Sequence, residues 1–140
     1  DPIFTQDITI TRQARTNESD SATMGRKSIV PYGLYRADGY VSAMLAQKIT
    51  KFSEEDLELL WNAIINMFEH DRSAARGKMC VRKLYVFKHD SVLGNAPANV
   101  LFDKIVISKK DGVEVPRSFN DYEITVDKNM PEGVELQEKA

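Results

Sequence analysis

The sequence is poor in the residues that build reactive or metal-holding centres. It has one cysteine, Cys80, and two histidines, His70 and His89. A lone cysteine excludes an internal disulfide framework and fits a reducing, cytoplasmic setting. It stands in an apolar and basic run, where a packing role is expected for it. One cysteine and two distant histidines fall short of a structural zinc ligand set. Each histidine is followed by an acid, Asp71 or Asp90, but adjacent residues do not face each other on a helix, so neither pair is a built dyad. There is no GxxxxGK(S/T) phosphate cradle and no GxGxxG turn. No apolar run approaches the roughly 20 residues of a membrane span, and no signal peptide stands at the start. The opening Asp1-Pro2 reads as an internal cut in something longer. Internal repeats and low-complexity tracts are missing as well. These absences point to a binding protein without metal or cofactor, rather than a catalyst.

What is present suits one domain, residues 1–140, with a core of its own: 140 residues, 42% of them hydrophobic. The net charge of −2 would disfavour a polyanionic partner if it were spread evenly. It is segregated. Arg12, Arg15, Arg26, Lys27 and Arg36 fall in the stretch 11–36, against Glu18 and Asp20. From Arg72 to His89 come Arg72, Arg76, Lys78, Arg82, Lys83 and Lys88 without an acid. Eleven of the nineteen Lys and Arg therefore lie in two segments, while Glu54, Glu55, Asp56, Glu58, Glu69 and Asp71 cluster on or beside one helix. Such segregation gives one surface able to hold a polyanion and another that repels it.

The stretch 11–36 organises the rest. Ile8 and Ile10 alternate with Thr9 and Thr11, a strand pattern leading into it. Between Thr16 and Thr23 there is no large apolar residue, so the tip cannot pack into the protein's own core. It reads either as a solvated surface loop or as a protrusion whose charge meets a phosphate backbone. Residues 29–45 are expected to bring the chain back as a strand, with a bulge or edge at Pro31 and Gly33. Tyr32, Tyr35 and Tyr40 there are amphipathic rings that either stack on bases or line a sheet.

A helix is the clearest local signal. Ser53-Glu54-Glu55-Asp56 forms a capping box, and Leu57, Leu60, Trp61, Ile64 and Phe68 make an apolar stripe at helical spacing. The helix is expected to stop between His70 and Ala75, with Gly77 as its terminator. Arg72 and Arg76, four apart, are expected on its last turn beside Lys78 as a basic corner gripping phosphates. KMCVRKLYVFKHD, from Lys78, is apolar on both faces and reads as a central strand. Pro97 opens a short helix over 98–103. Lys109-Lys110-Asp111-Gly112 reads as a hairpin turn between strands 104–108 and 113–115. YEITV, from Tyr122, is a last strand, and the acidic end, six acids against two lysines from Asp121 on, reads as solvated tail. The class is α+β with helices on one side of a mostly antiparallel sheet.

Four runs carry a resemblance: MGRKSIVPYGLYRADGYVSA (24–43), FSEEDLELLWNAIINMFEHDRSAARGKM (52–79), LYVFKHDSVLGNAP (84–97) and PRSFNDYEITVD (116–127). Together they resemble the backbone subunit of the CRISPR Cascade surveillance complex, a RAMP-type protein of antiviral defence. The similarity is nearest to the type I-C subtype, in the C-terminal half of that subunit. The resemblance implies an RNA-recognition-like (ferredoxin-like) palm bearing a thumb hairpin at about residues 12–27, with Met24 as the wedge at a displaced base. It implies that copies polymerise along one CRISPR guide RNA with other Cascade subunits, leaving guide segments free to pair with target DNA. A carrier of any guide must read phosphate, ribose and shape rather than base edges. The RNA-binding set expected is Arg12, Arg15, Met24, Arg26, Lys27, Arg36, Arg72, Arg76 and Lys78, with no catalytic residue. Two alternatives stay open: a guide-dependent ribonuclease using a thumb acid such as Asp20, and a scaffold whose protrusion hooks another protein.

Overall fold

The computed structural model describes residues 3–12, 23–74 and 76–140, with the backbone only at Arg12 and Thr23. The expected tip 13–22, with Arg15, Glu18, Asp20 and Ser21, lies outside the described residues, as do Asp1 and Pro2. The class is α+β, and the strands of the described residues form three two-stranded antiparallel pairs. The chain divides into two compact units. One holds the residues up to Arg36 with Ser108–Glu123, and the other holds Ala37–Ile107 with Ile124–Ala140.

In the first unit, β1 (Gln6–Arg12) pairs with β2 (Thr23–Ile29) over seven positions, from Gln6 opposite Ile29 to Arg12 opposite Thr23. The β2 strand stops before Pro31, which has no N–H to give a ladder. Residues 30–42 are irregular rather than the expected returning strand. Further on, Val113 N–H donates to Lys110 C=O at 3.2 Å around Gly112 (φ 79°), so the expected turn exists. Its hairpin does not: 113–115 is not a strand, and β4 (Ile105–Lys109) pairs instead with β5 (Tyr122–Val126), strands of which Ile105–Ile107 and Ile124–Val126 belong to the second unit. A one-turn 3-10 segment, Phe119–Asp121, delivers β5 to that partner. Asp121 accepts the Arg117 and Ser118 N–H groups at 2.7 and 2.8 Å, and these bonds hold its carboxyl below the ordinary range.

The second unit opens with α1 (Ala43–Leu45), which runs into a π-helical turn, Ala46–Thr50. Lys51 in the left-handed region (φ 59°) closes that turn. The helix α2 (Glu54–His70) starts as its sequence demands: Ser53 Oγ accepts the Asp56 N–H at 3.1 Å, and Asp56 accepts the Ser53 N–H at 2.8 Å. Its stripe, Leu57, Leu60, Trp61, Ile64 and Phe68, is the half-buried face. Then β3 (Tyr85–His89) pairs with β6 (Val134–Glu138), Tyr85 opposite Glu138 and His89 opposite Val134. The acidic end is thus a strand and not a solvated tail. Lys83 pairs with Glu138 across the ladder, and Lys139 pairs with Glu58 of α2 (2.9 Å). In consequence β3 has one strand neighbour among the described residues and is not central. Around α3 (Ala98–Phe102) sits the small core: Leu101 is 2% exposed and Ile105 9%, and Phe102 meets the Tyr40 and Phe87 rings at 5.6 and 6.3 Å. Pro97 precedes α3 as its N-cap, in extended backbone. Among the described residues no helix is long and apolar enough to cross a membrane.

Candidate nucleic-acid interface

A two-stranded ribbon sorts its side chains strictly, because directly opposed residues share a face and neighbours along a strand do not. The register therefore puts Asp7, Thr9 and Thr11 with Met24, Arg26 and Ser28 on one face of β1–β2. Gln6, Ile8 and Ile10 share the other with Gly25, Lys27 and Ile29. Met24 is 71% exposed. Arg26 and Lys27 are exposed too, and neither has an ion-pair partner among the described residues. Asp7, on the Arg26 face, accepts a hydrogen bond from Ser28 Oγ. Met24, Arg26 and Lys27, three of the expected RNA-binding residues, therefore do not share one face. Met24 and Arg26 share the threonine face, and Lys27 flanks isoleucines. Arg12 ends β1 opposite Thr23. Arg36 is exposed at the end of the same unit and makes an interaction of its own within the protein.

The basic corner of the second unit differs from expectation. The α2 helix ends at His70, and Asp71 (ψ 78°) already leaves helical geometry, so Arg72 and Arg76 do not share a last helical turn. Acids at a helix C-terminus oppose its dipole, which favours early termination and draws in cations. Arg72 binds Glu69 through its carboxylate (2.6 Å) and backbone carbonyl (3.2 Å), and Arg76 pairs with Asp71. Gly77 (φ 57°) closes a turn on Ser73 C=O rather than the helix. Of the three residues, Lys78 alone is without an ion-pair partner among the described residues. The neutralising acids were legible as i,i+3 and near neighbours, a signal that a count of basic residues passes over.

Cys80 is exposed with Arg82 Nη1 3.6 Å from its sulfur, so the expected packing role does not hold. His89 serves the fold, since its Nδ1 accepts the Asn95 N–H at 2.9 Å and fastens the loop after β3. An open groove of about 310 Å³ is lined by Tyr85, Val126, Lys128, Met130, Leu136 and Glu138. It brings together no histidine, cysteine or paired carboxylates. Burial, then the nearby Glu138 charge, pushes the Tyr85 hydroxyl up from its usual range.

The arrangement presents an exposed methionine beside a single cation and hydroxyls, on a ribbon with solvent on both faces. Exposed groups of this kind can meet a flexible phosphodiester strand. No curated protein matches the chain. Over residues 1–127 it matches the family profile of CRISPR-associated protein Cas7, a span that includes both ribbon strands, α2 and the loop after β3. The chain belongs to the CRISPR-associated Cas7 family, proteins of the Cascade backbone type.

Proposed function

We propose that the chain is a backbone subunit of Cascade that binds CRISPR guide RNA without reading its sequence and performs no catalysis. In this reading it is the C-terminal part of a type I-C subunit, with residues 12–27 as thumb. It associates with further copies of itself and with other Cascade subunits, and it leaves guide bases free to pair with target DNA. The observation that carries the proposal is the exposed Met24–Arg26 face of the ribbon in a chain that matches the Cas7 family. Methionine is unbranched and polarizable and fits between bases of any identity, and an arginine fork grips phosphate of any sequence. Arg36 and Lys78 add phosphate contacts, and Lys27, on the other face of the ribbon, does not. Arg72 and Arg76 join only by trading their carboxylates for phosphate, an exchange that exposed pairs worth about 0–1 kcal/mol permit.

The test is equilibrium binding of the full chain to single-stranded RNAs of unrelated sequence across a salt series. Affinities that fall linearly with log salt, with one slope for all sequences, support the proposal. A flat salt response overturns it in favour of a protein hook. Cleavage of a complementary RNA in the reconstituted complex overturns the non-catalytic part.

A further inference from the structure

The irregular segment 30–42 carries three tyrosines, and the structure treats them differently. Tyr32 packs its ring 6.3 Å from that of Tyr122, and Tyr40 sets its ring edge-on to Phe102 at 5.6 Å. Tyr35 has no ring partner among the described residues and is 62% exposed. It is nonetheless placed. The ring folds back over Gly33, with Cε2, Cζ and Oη 3.1 to 3.2 Å from where a Cβ at position 33 would stand. The missing side chain makes room for the ring to lie there. An aromatic ring held at the surface gains little from burial, so its apolar area remains available to a ligand. In the same compact unit the β1–β2 ribbon exposes Arg26 and Lys27, so a ligand that reaches this unit with negative charge and flat apolar groups is matched on both counts.

We infer that Tyr35 is a stacking platform for one unpaired base of a single-stranded nucleic acid. The inference rests on the nucleic-acid reading above and adds to it a residue that grips a base face. Stacking tolerates every base, because each has a π-face, so such a contact strengthens binding without imposing sequence preference.

The test compares the full chain with Tyr35→Ala, Tyr35→Phe and the double variant Arg26→Ala/Lys27→Ala. The probes are homopolymeric uridine and adenosine RNAs over a salt series, plus an RNA containing 2-aminopurine. Tyr35→Ala is expected to weaken binding about fivefold or more at every salt concentration while leaving the salt slope intact. Tyr35→Phe keeps wild-type affinity, and the 2-aminopurine quenching seen with wild type disappears in Tyr35→Ala. The Arg26/Lys27 variant lowers the slope instead. If Tyr35→Ala binds like wild type while the Arg26/Lys27 variant loses slope, the stacking role is overturned and the phosphate reading stands. Failure of Tyr35→Phe to restore binding also overturns it, since that assigns the loss to the hydroxyl or to local folding. A wild-type chain without RNA affinity overturns both.

Discussion

The split of the ribbon's cations between two faces sets up a single-residue test. Arg26 stands opposite Thr9 beside Met24, and Lys27 stands opposite Ile8 beside Gly25. An RNA strand lying along the Met24 face reaches the guanidinium and leaves the ammonium on the far side. Each phosphate neutralised on a single strand contributes about −0.7 to the slope of log K against log salt. Arg26→Ala is then expected to make the slope shallower by about 0.7, and at about 0.1 M salt the affinity falls about fivefold, or about 1 kcal/mol. Lys27→Ala leaves both quantities close to wild type. Fluorescence anisotropy with one labelled RNA at several salt concentrations reads slope and affinity together. Arg26→Lys tests the point further: a lysine keeps the charge and most of the slope but loses the two-pronged grip. If Lys27→Ala reduces the slope as much as Arg26→Ala, the strand crosses the ribbon edge or lies on the isoleucine face. The assignment of the Met24 face then falls.

Other expectations concern stability. Gly133 adopts φ 77°, and a Cβ there would run into the Asn95 side-chain amide, so Gly133→Ala is expected to cost at least about 1–2 kcal/mol. Gly39, with open space around its Cβ position, is the control, and Gly39→Ala is expected to be neutral or slightly stabilising; urea midpoints compare the two. Ser53→Ala removes the acceptor for the Asp56 N–H and should cost about 1 kcal/mol, seen as a lower urea midpoint and reduced helical signal by circular dichroism. Hydrogen bonds hold the Asp56, Asp121 and Asp127 carboxyls below the ordinary 3.8, the Ser53 N–H, the Arg117 N–H and the Lys104 ammonium being the respective main causes. Their folded pKa values are depressed, so their contribution is complete above pH 3.8 and is lost as pH falls through the lowered values. Urea titrations followed by circular dichroism at successive pH values should show the unfolding midpoint falling below that pH. Asp121→Ala should be less stable than wild type near neutral pH and approach it in acid.

How much of this was readable beforehand depended on how far each interaction reaches along the chain. The capping box at Ser53, the stripe from Leu57 to Phe68 and the alternation of Ile8 and Ile10 with Thr9 and Thr11 were determined by the sequence alone. Each is settled by residues within a turn or two of one another. At Pro31 the missing donor signalled a bulge or an edge, whereas the strand stops altogether and 30–42 is irregular. The candidate site was legible as residue types, basic positions with a methionine, but not as a surface. Arg26 and Lys27 were separated by the ribbon's register, and Arg72 and Arg76 were drawn to Glu69 and Asp71 once α2 ended at His70. Pairing choices came from tertiary structure. The acidic end became β6 because β3, more than forty residues earlier, offers an open edge and Lys83 to match Glu138. β4 passed over the nearby 113–115 for β5, delivered by a turn that Asp121 fastens. Backbone donors and acceptors are the same at every residue, so a strand's partner is decided by what else the fold brings alongside it, and a linear reading does not contain that.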